Sequence, residues 1–159
     1  MIRPVNGGDP NPDKEPVMAE RVKITLRYIQ ILDNLEPFYK ERGEFRFSAR
    51  ITADGTPHES RFPKEGYYEI SDHPAWNKLN LDRVLYDGPV AGTLVVELMG
   101  EELDFMSAND QLDHYRREFA GNPSEWFGEY GPGEFEVDID PDDPENMSNW
   151  RVSYVIEGS

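Results

Sequence analysis

The segment Glu101-Glu-Leu-Asp-Phe-Met-Ser-Ala-Asn-Asp110 packs oxygen donors around an apolar pair, just after the strand-forming run Thr93-Leu-Val-Val-Glu-Leu-Met99. Within it Glu102, Asp104, Ser107 and Asp110 fall two, three and three positions apart. Two residues apart at a strand end, Glu102 and Asp104 project to the same side. Such a set fits coordination of a hard cation: calcium takes about 6 to 8 oxygen ligands, and carboxylates sharing one ion cancel a repulsion that otherwise destabilises their loop. The competing reading is that these are solvated acids on a very acidic chain.

Other chemistries are poorly represented. With no cysteine in its 159 residues, the chain has no disulfide, thiolate zinc site or cysteine nucleophile. His58, His73 and His114 show no metal-ligand spacing, and no serine sits in a nucleophile elbow. The glycine-rich stretches YDGPVAG and GPGE lack the lysine and following helix of a phosphate-binding loop. The excess of 32 Asp and Glu over 16 Lys and Arg gives a net charge of -16, which repels phosphate backbones and argues against a nucleic-acid partner. A carboxylate pair for glycoside hydrolysis is defined by a separation in space, so a glycoside-acting jelly roll stands as a third reading.

The elements that must position the acidic segment read as short strands. In Arg21-Val-Lys-Ile-Thr-Leu-Arg-Tyr-Ile-Gln-Ile-Leu32, Val22, Ile24, Leu26 and Tyr28 alternate with polar residues until the phase slips at Ile29 and Ile31, the pattern of a strand with a bulge. Phe45, Phe47, Ala49 and Ile51 alternate with Glu44, Arg46, Ser48 and Arg50, giving one core face and one wet face. Asp54-Gly55 supplies a hairpin turn into a strand near His58 to Phe62. Further strands are expected at Tyr67 to Ile70, Leu79 to Tyr86, Thr93 to Met99, Glu134 to Asp140 and Trp150 to Glu157, with Gly and Pro between them. One helix is expected to interrupt them, starting around Ser107 to Asp110, placing Leu112, Tyr115 and Phe119 on one face and ending at Gly121. The fold class is therefore all-β, an eight-stranded antiparallel β-sandwich with one short inserted helix.

On these residues the chain resembles C2 domains, eight-stranded β-sandwiches whose third calcium loop follows an Asp-x-Asp-x-x-Ser-x-x-Asp pattern. Glu102-Leu-Asp104-Phe-Met-Ser107-Ala-Asn-Asp110 matches it with Glu in place of the first Asp. The family's first calcium loop opens with an acid and closes with one before an aromatic strand, which here implies Asp33 and Glu44, the latter in Gly43-Glu44-Phe45. That loop is longer than usual, and a helix after Asp110 departs from the family's pattern. The resemblance implies a non-enzymatic module in which calcium, bound by Asp33, Glu44, Glu102, Asp104, Ser107 and Asp110, orders two acidic loops. It also implies apolar tips, Phe38 and Tyr39 in one loop and Phe105 and Met106 in the other, for a protein partner or, second to that, a membrane surface.

Two further segments carry weaker signals. Asp138, Asp140 and Asp142 open like an EF-hand loop, but Asp143 stands where the sixth-position glycine belongs and Asn149 where the closing glutamate does. Trp126, Phe127 and Tyr130 either staple a long connection to the core or offer an aromatic platform, the basis of an alternative reading as a metal-free interaction or carbohydrate-binding sandwich. Residues 1–16 read as a flexible tail ahead of a single domain over 17–159. No signal peptide or membrane-spanning run is recognisable, so the default expectation is a soluble, cytoplasmic protein, export by another route remaining open. Because residues 1–16 are too rich in Pro, Gly and Asp to offset the entropy of ordering, deleting them is expected to shift Tm by less than about 1 °C. A drop of several degrees in a thermal melt would show instead that the tail adds a strand.

Overall fold

In the computed structural model residues 19–32, 42–71, 77–103, 109–131, 144–145 and 147–159 are described. They form ten strands: β1 (Glu20–Ile31), β2 (Arg42–Ala53), β3 (Thr56–Phe62), β4 (Tyr68–Ser71), β5 (Lys78–Val90), β6 (Thr93–Glu102), β7 (Asp110–Gln111), β8 (Tyr115–Ala120), β9 (Gly128–Tyr130) and β10 (Trp150–Gly158). Two antiparallel sheets result, one ordered β5-β1-β10-β9, the other built on the central pair β2 and β6. In the second sheet β3 and β4 lie end to end along β2, pairing with residues 47–53 and 42–45, and β8 and β7 lie end to end along β6. The ten segments thus occupy eight strand positions. The expected count of eight is corrected to ten because both edge strands of this sheet are broken.

The expected alternation of β1 and β2 is present. Val22, Ile24 and Leu26 face inward, and the ladders of β1 with both neighbours shift register between Leu26 and Tyr28. That extra residue reverses the parity, so Ile29 and Ile31 also reach the core. Phe45, Phe47, Ala49 and Ile51 line the facing sheet, and Phe47 stacks on Trp150 of β10 across the sandwich with ring centres 5.7 Å apart.

The expected helix after Ser107 is overturned. Asp110–Gln111 and Tyr115–Ala120 are strands paired with β6, and the helical geometry nearby is a single 3-10 turn, Pro123–Trp126, capped by Asn122. The spacing of Leu112, Tyr115 and Phe119 looked helical because Arg117, which separates Tyr115 from Phe119 on the inward-facing side of β8, is charged. Its partner, Glu145, lies 28 residues further along the chain. The strand expected at Glu134 to Asp140 falls outside the described residues.

The Asp54-Gly55 hairpin turn forms, with φ of 49° and 85°. The Asp54 carboxylate accepts hydrogen bonds from the amides of Ala91, Gly92 and Thr93 at 2.7, 2.9 and 3.0 Å, tying the β2–β3 turn to the β5–β6 turn. Burial pushes this carboxyl up, but the three amides outweigh it and hold it below its ordinary value of 3.8. A depressed carboxylate stabilises the fold above its unfolded pKa and loses that contribution as pH falls through the folded one. Asp54→Asn is therefore expected to melt below wild type at pH 7, with the gap closing as pH drops below about 4. A gap that stays constant between pH 7 and pH 3 would contradict it.

Candidate functional site

Three of the six expected cation ligands are described. The β6–β7 ladder sets Glu102 directly opposite Asp110, so the two ends of the acidic segment meet across one strand pair. Glu102 is also the partner of Phe45, and its side chain, 1 % exposed, lies on the core side at the end of the sandwich. Gly43 makes room for it: a Cβ there would stand 3.0 Å from Glu102 Oε1 and 2.6 Å from the Phe45 ring. Asp110 is exposed.

Glu44 is not brought to this pair. Neighbouring residues of a strand point to opposite faces, so with Phe45 and Glu102 on the core side Glu44 belongs to the outer face, where its cross-strand partner is Glu69. The carbonyl of Glu44 still reaches the acidic segment, accepting from the amide of Leu103 at 2.7 Å. Asp33, Asp104 and Ser107 lie outside the described residues, as do Phe38, Tyr39, Phe105 and Met106 and the Asp138, Asp140 and Asp142 series. Among the described residues no group of three or more His, Asp or Glu side chains is placed to hold a metal ion. Likewise, no helix among them is long and apolar enough to cross a membrane.

The outer face of the second sheet carries a ladder of ion pairs. Arg46 donates to Glu101 at 2.7 Å, and Gln111 donates to the same carboxylate at 3.2 Å. Burial pushes the Glu101 carboxyl up, but these donors and the Arg46 charge hold it below the ordinary carboxylate range. Arg50 donates to Glu59 at 2.8 Å, while Glu97 has Arg50, His114 and Arg116 within 3.5, 3.2 and 3.9 Å. Between these groups run shallow hollows floored by Ser48 and Met99, and Arg61 lines each of them.

A second polar cluster lies where the two sheets meet. The Tyr115 hydroxyl donates to Glu145 at 2.7 Å and stands 2.7 Å from the Tyr154 hydroxyl. With its one proton directed to Glu145, Tyr115 must accept from Tyr154. Arg117 contacts both oxygens of Glu145 at 2.9 Å and lies over the ring of Tyr130, which stacks on Tyr154. Burial raises both the Tyr115 and Tyr154 phenols above their ordinary range, so they stay neutral and bridge the sheets without exchanging protons. No sequence signal marked this cluster, because Tyr115, Glu145 and Tyr154 share no local pattern.

The aromatic segment staples its connection to the core through two of its three rings. Trp126 is 4 % exposed, packs on Phe119 and donates its indole N–H to the Ala120 carbonyl, and Tyr130 joins the Tyr154 stack. Phe127 remains exposed. Compared with known proteins, the chain matches no family model and no curated protein.

The buried cluster makes a direct prediction about stability. Glu145→Gln leaves the Arg117 guanidinium without its countercharge and is expected to cost about 2 kcal/mol, while Tyr154→Phe removes one neutral hydrogen bond and costs about 1 kcal/mol. Urea unfolding of both variants checks this order, and a Glu145→Gln protein as stable as wild type would show that the Arg117–Glu145 pair does not hold the sheets together.

Proposed function

We propose that the protein is a non-enzymatic binding module in which calcium, held at the end of the sandwich, orders the acidic segments for contact with a partner protein. The observation that carries this reading is the pairing of Glu102 with Asp110. Like charges directly opposite one another on neighbouring strands are destabilising, and here one of the two is nearly fully buried. Glu44 and Glu69 repeat the like-charge pairing on the outer face close by. A divalent cation at this end converts the repulsion into attraction, and its charge lowers the cost of keeping a carboxylate from water.

In this reading Glu102 and Asp110 supply the described carboxylates, and Asp104 and Ser107, between them in sequence, together with Asp33, complete the oxygen set. Glu44, on the other face, contributes its backbone link to Leu103 in place of a ligand. The C2-like resemblance supports the same placement, since in that family the ions lie among loops at one end of the sandwich. Phe105 and Met106, flanked by ligands, would be ordered by the ion and offer an apolar patch to a protein, with a membrane surface second to that.

The aromatic-platform alternative has less support, because burial of Trp126 and stacking of Tyr130 leave Phe127 as its exposed ring. Calcium titration distinguishes the two. An ion that binds the folded state alone adds about 2.7 kcal/mol at 100 times its dissociation constant, so Tm is expected to rise with calcium and to fall back with chelator. Asp110→Asn is expected to weaken the calorimetric affinity by about tenfold, and to raise Tm without calcium by relieving the like-charge pair. Absence of both binding heat and a Tm change at millimolar calcium removes the ion from the function.

A further inference from the structure

Apart from Arg117, which Glu145 holds, the described arginines and lysine around the second sheet fall into two groups. Arg46, Arg50 and Arg116 are held by Glu101, Glu59, Glu97 and Glu118. Arg61, Lys64 and Arg83 instead line one open hollow of about 480 Å³ with Glu59 and Ser60, and none of the three forms an ion pair among the described residues. Nearby acids are engaged elsewhere: Glu59 accepts from Arg50, and Asp82, beside Arg83, pairs with Arg27 at 3.4 Å. Glu65, next to Lys64 on the turn after β3, is exposed.

The hollow is built from two sheets. Arg83 comes from β5; its guanidinium lies over the Phe62 ring, 5.1 Å from the centre, and donates to the Arg61 carbonyl at 3.4 Å. That contact holds Arg83 beside the end of β3, where Arg61 points to the outer face opposite Ser48. With Glu59 turned to Arg50, three cations face one hollow against one shared acid, which leaves a local island of positive excess in a chain of net charge -16.

We propose that Arg61, Lys64 and Arg83 form a binding subsite for the oxyanion group of a small ligand, a phosphate or a carboxylate. Arginine presents a planar fork of donors that matches either group, and lysine adds a mobile point charge. The charge of the whole protein sets the size of the ligand. At physiological salt, fields decay over about 8 Å, so a compact anion in the hollow feels the three cations while acids beyond that distance are screened. An extended polyanion runs beyond the island and meets repulsion, which selects against nucleic acid and anionic bilayers.

The test is an NMR titration of the ¹⁵N-labelled full chain with inorganic phosphate and, in parallel, succinate. Calcium-free buffer at constant ionic strength set with chloride keeps the result independent of the proposed ion site at the sandwich end. Saturable shifts confined to the amides of residues 60–62, 64 and 83 are expected with at least one probe, and which probe saturates assigns the group as phosphate or carboxylate. Arg61→Gln is expected to weaken that binding by at least about tenfold, the loss of one charge-assisted pair. Its spectrum away from the hollow should not change, because the side chain is exposed. Lys64→Gln gives a second variant on the turn and is expected to weaken binding less. Absence of saturable shifts with both probes, or equal affinity in Arg61→Gln, overturns the proposal.

Discussion

The antiparallel ladder between β2 and β6, running from Ala53 opposite Leu94 to Phe45 opposite Glu102, decides what every other part of this protein faces. Its period is two, so one choice of register assigns all the side chains along both strands. Phe47, Ile51, Val96 and Leu98 go inward, while Arg46, Arg50, Glu97 and Glu101 go out. A slip of one residue would bury the arginines and glutamates and expose the phenylalanines. The same register carries Glu102 to the buried end of the sandwich and sets Ser48 and Met99 as the floor of the outer hollows.

Strands with a continuous apolar phase were legible in the sequence, including the slip after Leu26 that marks the bulge of β1. What was not legible depended on partners distant along the chain. Arg117 occupies an inward position because Glu145 and Tyr130 receive it, and without them the stretch from Leu112 to Phe119 reads as a helix face. The acidic segment was visible as chemistry, and the meeting of its two ends at Glu102 and Asp110 follows from its length. The separation of Glu44 from Glu102 did not follow from loop similarity, although strand parity in Glu44-Phe45 contains it. The group of Arg61, Lys64 and Arg83 joins β5 to β3 across two sheets, a juxtaposition that local sequence does not encode.

Charge is distributed over this molecule by function of position and not by simple excess. Among the described residues, acids opposed to acids gather at the end where β6 and β7 meet, acids matched to arginines cover the middle of the outer face, and cations outside ion pairs gather by β3 and β5. Pairs on the exposed face contribute little each to stability, yet they keep Glu59 and Glu101 from neutralising cations further along. The ion-pair ladder therefore separates the proposed cation end from the positive island.

The broken edges of the second sheet have a consequence for how the protein behaves at high concentration. An unpaired strand edge is a template on which another chain can add, and long flat edges are the usual origin of aggregation. Here the outer strands are divided into β3 with β4 and β7 with β8, of 7, 4, 2 and 6 residues. On the first sheet the longer β5 carries Pro89, which has no amide hydrogen to donate, and register shifts against β1. The interruptions that obscure the strand count therefore also shorten the edges, among the described residues, on which a foreign strand could add.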